Sequence, residues 1–222
     1  MQLIEAVKAR KSIRGYKPDP VARDILAQII DVARWAPSGS NTQPWEFFIL
    51  GGEVLEKVKD ALQHRFLAGV EPNPDFPVVS SPPEIYRERR VALVSALYPL
   101  LGFSREDRER RREWYLKMMR AFDAPNVILV VTEADAGDPW ALFNIGAVTQ
   151  TIALVALEFG LGTCIEGALV QYPDAVREVI GIPRSKKLVI GIAIGYPDWD
   201  LPVNQFRSSR EPLEKLVTWC GL

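Results

Sequence analysis

The chain is poor in the residues that most often carry acid–base and metal chemistry. Its 222 residues include one histidine, His64, and two cysteines, Cys164 and Cys220. A single imidazole rules out a histidine metal cluster and the paired histidines of an HExxH zinc site. A Ser-His-Asp triad would have to recruit His64, and no GxSxG serine elbow is present. His64 lies in a charged helical stretch and reads as a surface residue. The two cysteines are far apart, form no disulfide framework and suit a reducing cytosol. Cys164 has no evident base beside it and reads as a buried, inert thiol. Charge of one sign is also missing: 27 Lys and Arg against 28 Asp and Glu leave a net charge of −1. Nothing global therefore points to nucleic acid or an acidic membrane. Arg108, Arg110, Arg111 and Arg112 are interleaved with acids and read as a solvated helical face. The N-terminus shows no basic region followed by an apolar run, so the expected location is cytoplasmic. No GxxxxGK[ST] phosphate loop, internal repeat or low-complexity linker occurs.

Hydrophobic content is 48%, ample for a core, and the length suits one large domain over residues 1–222. Leu3, Ile4 and Val7 give a first short helix an apolar face, ending near Arg10. Asp19-Pro20 predicts a helix start, with a carboxylate cap and proline at the first helical position. Trp45 to Leu50 reads as a strand and residues 53 to 67 as a helix. Five prolines (72, 74, 77, 82 and 83) mark 71–83 as a loop or lid. Helices are expected over 84–101 and 104–121, broken near Gly102, with Glu106–Arg110 and Asp107–Arg111 as pairs four apart. Asn126 to Thr132 reads as a central strand. Trp140 to Phe159 is nearly all apolar and long enough for a membrane span. Its Asn144, Thr149, Gln150, Thr151 and Glu158 favour a helix buried in a core or against a partner subunit. Gly160 to Ile165 and Lys187 to Ile194 read as strands, with a helix over 172–180 between them. Gly160-Leu161-Gly162-Thr163-Cys164-Ile165-Glu166-Gly167 looks like a dinucleotide fingerprint but enters a strand after a helix, the reverse of the required order. Helices outnumber scattered strands, which implies layers of α and β around one sheet.

Three polar segments remain once these chemistries are set aside: residues 10–14, 37–43 and 207–210. Each alone has a bland reading. Arg10 could serve a helix C-terminus, Ser38 and Asn41 could close a turn, and Arg207 and Arg210 could be tail charges. Together they offer guanidinium, hydroxyl and amide groups suited to a phosphate-bearing ligand.

In chain order they resemble the FMN-dependent nitroreductases, a family of flavin oxidoreductases. The resemblance rests on Ala9-Arg10-Lys11-Ser12-Ile13-Arg14 with Tyr16; on Ala36-Pro37-Ser38-Gly39-Ser40-Asn41-Thr42-Gln43-Pro44-Trp45; and on the Gly160–Gly167 run. Ile182-Pro183 leading into Ile190–Pro197, and Phe206-Arg207-Ser208-Ser209-Arg210-Glu211-Pro212-Leu213, complete it. Only about 70–125 falls outside, an insertion similar to that of the nitrobenzoate-reductase-like branch.

The resemblance implies an α+β fold, with a central, mostly antiparallel sheet flanked by helices. A C-terminal extension would wrap the partner of a homodimer. It implies FMN as cofactor, with Arg10 and Ser12 on the phosphate and ribityl chain, Lys11 beside them and Arg14 at the pyrimidine edge. Pro37, Ser38 and Asn41 would approach the flavin from the partner subunit. Ile165, Glu166 and Gly167 would pass beside the ring with a backbone N–H aimed at N5, and Arg207 and Arg210 would complete the phosphate clamp. Arg14 stands where many members have lysine, which keeps the charge. The expected activity is NAD(P)H oxidation in alternating half-reactions through flavin N5, with a nitroaromatic, quinone or related small molecule as acceptor. No catalytic side chain is obligatory, because the flavin carries the redox chemistry. The insertion over 70–125 would form a helical lid. The alternatives are a specialised relative, such as a reductive dehalogenase or flavin-fragmenting enzyme, and a non-catalytic FMN-binding protein.

Overall fold

A computed structural model describes residues 2–77, 81–133 and 138–221. Its centre is a four-stranded sheet in the order β1-β2-β4-β3. The strands are β1 (Glu46–Gly51), β2 (Asn126–Thr132), β3 (Gly162–Glu166) and β4 (Lys187–Gly195). Every neighbouring pair is antiparallel. All seven residues of β2 are buried, so its β-branched run serves two cores at once. Val127, Leu129 and Val131 face one core, built with Leu55, Val58 and Leu62 of α3 (Gly52–Leu67) and with α7 (Pro173–Ile180). Ile128 and Val130 face the other, built with α2 (Arg23–Ala33) and α6 (Pro139–Glu158). The expected α+β layering around a mostly antiparallel sheet is thus observed.

Several boundaries differ from the sequence expectation. Helix α2 starts at Arg23, not at Asp19-Pro20: Ala22, with ψ of 139°, stands at its N-cap, and just before it the Val21 N–H donates to Asn126 Oδ1 at 2.9 Å. Beyond α4 (Glu84–Leu97), a 3₁₀ turn over Tyr98–Leu101 ends at Gly102, whose φ of +75° stops the helix. Helix α5 (Arg108–Met119) begins late enough that the expected pairs from Glu106 and Asp107 lie outside its first turn. Asp107 instead caps the helix, accepting the Arg110 N–H at 3.0 Å, and Arg110 turns to Glu113 at 3.2 Å. The short α1 (Leu3–Ala9) exists, but Leu3, Ile4 and Val7 are 73%, 70% and 51% exposed. The described residues of one chain leave its apolar face largely uncovered.

Helix α6 is long and apolar enough to cross a membrane by length and composition. Here Ile145, Val148 and Ile152 are packed into the second core, while Trp140 and Phe143 stand 71% and 70% exposed. The helix is therefore half buried rather than buried all round. The proline-rich stretch is fixed over its first part. Asp75 Oδ2 meets Arg177 Nη2 at 2.6 Å and accepts the Leu188 N–H at 2.8 Å, and both acid and base side chains are about nine-tenths buried. Residues 78–80 lie outside the described residues. His64 is exposed on α3, and Cys164 is buried while Cys220 is exposed.

Candidate functional site

Residues 10–14 leave α1 as extended backbone along the free edge of β3. Ser12 forms a parallel bridge with Thr163, and the Ile13 N–H donates to the Thr163 carbonyl at 3.0 Å. Extended backbone alternates its side chains, which places Arg10, Ser12 and Arg14 on one face and Lys11 and Ile13 on the other. Ile13 anchors the segment at 2% exposure. It fits because Gly162 lacks a side chain: a Cβ there would stand 2.4 Å from Ile13 Cγ1. The end of the segment is held by Asn204 of α8 (Pro202–Gln205), a residue that nothing in the sequence singled out. Asn204 is fully buried; its Oδ1 accepts the Arg14 N–H at 2.7 Å. Its Nδ2 donates to the Gly15 and Asp198 carbonyls at 2.8 and 2.7 Å.

This frame gathers cations from both ends of the chain. Burial lowers the Arg10 guanidinium first, and the neighbouring charges of Arg210 and Arg207 lower it further. Lys11 is lowered by burial and then by Arg207, and its ammonium lies 4.9 Å from the centre of the Trp199 ring. Arg210 folds back on its own turn, donating to the Ser208 hydroxyl at 2.8 Å and the Ser209 carbonyl at 2.9 Å. Among the described residues, none of Arg10, Lys11, Arg207 and Arg210 forms an ion pair with a carboxylate. Two cations depressed by burial and by the charge of Arg207 and Arg210, with no ion-paired acid among the four, make a site for an anion.

At the end of β3 the strand alternation separates two environments. Ile165 is 37% exposed, whereas Cys164 and Glu166 turn inward at 4% and 3%. Gly167 is exposed, and a Cβ built on it would meet nothing within 4 Å. An apolar side chain and bare backbone thus lie open together, a surface suited to a flat ring. Behind it, both Glu166 carboxylate oxygens are buried without a hydrogen-bond partner among the described residues. Burial holds the Glu166 carboxyl well above the usual carboxylate range, with Arg14 opposing. Burial, followed by Glu166, pushes the Cys164 thiol up to about 12. That fits the expected inert thiol. The Tyr16 hydroxyl is raised by burial, then by Cys164 and Glu166, and donates to the Ile13 carbonyl at 3.1 Å.

The loop of Pro37, Ser38 and Asn41 has a defined shape. Ser38 Oγ accepts the Gln43 N–H at 2.9 Å. Ser40, Asn41 and Gln43 all hold positive φ, at 51°, 57° and 47°. Such conformations cost of order 1–3 kcal/mol each and cluster at working sites. Within one chain, however, this loop does not reach the cation cluster. The Gly39 N–H donates to Asn144 Oδ1 at 3.3 Å, in the first half of α6. The pocket of about 260 Å³ that includes Arg10 and Lys11 is walled by Leu157, Gly160 and Leu161, at the helix's other end. The two lie on the order of 20 Å apart along α6. A larger groove, of about 1000 Å³, runs from Arg207 and Arg210 to α4.

The model of the nitroreductase family matches residues 7–196. The chain belongs to the nitroreductase family. That makes it an oxidoreductase, and the match spans the Arg10 segment, the Pro37 loop and β3. A 4-nitrobenzoate reductase of Nocardioides sp. (strain LMS-CY) is 33% identical, over 96% of this chain and 87% of the relative. Among solved structures, the FMN and NADPH-dependent nitroreductase NfnB from sphigopyxis sp. strain HMH superposes with a TM-score of 0.95. It is 30% identical with both chains fully covered. The FMN-dependent nitroreductase NfnB from Mycobacterium smegmatis, solved in complex with NADPH, gives a TM-score of 0.93 at 27% identity, covering 99% of this chain and all of that one.

Proposed function

We propose that this nitroreductase binds FMN and passes electrons from NADH or NADPH to a nitroaromatic, quinone or related small acceptor in ping-pong fashion. The observation that carries the reading is the acid-free cluster of Arg10, Lys11, Arg207 and Arg210 beside the open edge of β3. A phosphate monoester of about two negative charges matches that cluster. FMN, when bound, supplies the redox chemistry, a hydride accepted and returned at ring N5.

The chain's own groups have binding and orienting roles. Arg10, Arg207 and Arg210 hold the phosphate by charge-assisted hydrogen bonds, with Lys11 adding charge. The Ser12 hydroxyl serves the ribityl chain. Arg14, fixed through its backbone by Asn204, places a cation at the pyrimidine edge, where it favours negative charge on the ring. Ile165 gives an apolar contact, and the backbone at Glu166 and Gly167 offers its N–H groups to the ring edge.

The separation of the Pro37–Asn41 loop from the cluster supports a homodimer in which each loop serves the other subunit's site. So do the uncovered apolar residues of α1 and α6. Gly146 adds a flat spot on α6, exposed with nothing within 4 Å of a built Cβ. The tail after Asp198 would then reach across the partner, and α4 and α5 would cover the acceptor. On this reading the enzyme is cytoplasmic.

Purified protein tests the reading. It should carry flavin absorbance that bleaches with NADH or NADPH and returns with a nitroaromatic. Arg10→Ala and Arg207→Ala should each weaken FMN retention roughly tenfold or more, the loss of a charged hydrogen bond, with unchanged far-UV circular dichroism. Wild-type retention in both variants would overturn the phosphate assignment. Flavin that binds but never bleaches would leave a binding protein, and a monomer holding full flavin would overturn the shared site.

A further inference from the structure

We propose that Glu211 is a positioning residue: through its ion pair with Arg89 it ties α4 to the tail that carries Arg207 and Arg210, so that loading the FMN phosphate also fixes α4 as the far wall of the groove. The proposal rests on the FMN reading above and begins from two elements that one chain holds weakly. Of the 14 residues of α4, Leu97 at its end is the one that is buried. The tail is as bare: no residue from 205 to 217 is buried, and its helix α9 (Leu213–Leu216) is a single turn. Segments with so few buried contacts open at low free energy, so a bond between them decides where they sit.

Arg89 and Glu211 supply that bond. Arg89 Nε lies 3.3 Å from Glu211 Oε1, with the two side chains 38% and 27% exposed. Each partner is steadied on its own element. The Arg89 guanidinium lies 5.9 Å from the centre of the Tyr86 ring, one turn back along α4. The other carboxylate oxygen of Glu211 meets Lys215 Nζ at 3.5 Å. Arg87, by contrast, pairs with Glu84 inside α4. Chain order gives the tie its use. Glu211 follows Arg210 directly, so an Arg210 held on a phosphate holds the backbone of Glu211 as well. Across the groove of about 1000 Å³, Ile85, Arg89 and Leu93 of α4 face Arg207 and Arg210. The width of that groove is then set by the cofactor, through the tail and Glu211.

The test compares full-length protein stripped of FMN with the same protein reloaded, by backbone hydrogen exchange read with mass spectrometry. Exchange across α4 should slow by about two- to fivefold on loading, the range that a partly exposed ion pair supports. Arg89→Gln and Glu211→Gln should each abolish that slowing while flavin content and exchange in β2 stay at wild type. The double variant should lose no more than either single one, because one pair is removed in all three. Arg89→Lys, which keeps the charge, should keep the slowing. Equal exchange in stripped and loaded wild type overturns the proposal, since α4 is then fixed by something other than the cofactor. So do slowing that survives both Gln variants, losses that add in the double variant, and flavin lost from Glu211→Gln, which would move Glu211 into the cofactor site itself. Absorbance of the same samples separates the two readings. Protein that takes up no flavin fails the FMN assignment, whereas flavin-loaded protein whose α4 exchanges as in the stripped form fails this one alone.

Discussion

The side-chain oxygen of Asn204 accepts the backbone N–H of Arg14 at 2.7 Å. With the two bonds from its Nδ2 to Gly15 and Asp198, this residue ties the cationic N-terminal segment to the tail. Nothing else in the described structure joins Arg14 to α8 by a hydrogen bond, and the Asn204 side chain is fully buried. Asn204→Ala leaves one N–H and two carbonyls without that partner, at about 1–3 kcal/mol for each group left unsatisfied. The expected result is a clear drop in the urea midpoint, accompanied by weaker FMN retention because Arg14 loses its position. Asn204→Asp should fare no better, since a carboxylate cannot donate to the two carbonyls. A variant with wild-type stability would show that Arg14 is positioned by other contacts.

Gly162 makes a second test of the same frame. A methyl group there meets Ile13 Cγ1 at 2.4 Å and Pro197 Cγ at 2.8 Å, and neither is the free end of a long, flexible chain. Gly162→Ala should destabilise the fold by about 1–3 kcal/mol, the usual cost of overpacking. It should also push residues 10–14 off β3, so that FMN affinity falls although no cation has been touched. Gly167→Ala is the control. It has open space around its Cβ and should leave stability close to wild type. Gly162→Ala with unchanged stability and flavin affinity would remove the β3 edge as the support of the cation segment.

The frame and the site were legible in the sequence to different degrees. The run Asn126–Thr132 announces β2 because burial on both faces leaves the unbroken apolar string Val127–Val131 between Asn126 and Thr132, and all seven residues are buried. Asp19-Pro20 is a good local start signal, yet α2 begins at Arg23, and the contact that fixes Val21 just ahead of it comes from Asn126, more than a hundred residues away. The apolar stripe of α1 is visible in the sequence, but periodicity reports amphipathicity and not which surface covers it; the described residues of one chain leave most of it exposed. Arg10 and Arg207 were found through the order of motifs, since nothing local connects residues at opposite ends of the chain. Asn204 gave no signal at all, because its role exists only once folding has brought Arg14, Gly15 and Asp198 around it.

Glu166 links the site to pH. Its carboxyl is buried with no hydrogen-bond partner among the described residues, and burial raises it well above the usual range. The folded chain therefore keeps this proton at pH values where the unfolded chain has released it. Stability from this group is complete below the unfolded value of about 4.3. It falls as pH rises toward the folded value, by at most about 1.4 kcal/mol per pH unit. Glu166→Gln keeps the shape and removes the titration. Measured by urea unfolding at fixed FMN saturation, the wild type should lose stability across that window relative to Glu166→Gln. Their difference should widen with pH and then level off above the folded value. Parallel curves at every pH would mean that Glu166 ionises freely in the folded protein. Such a result would place water or a cation beside its carboxylate.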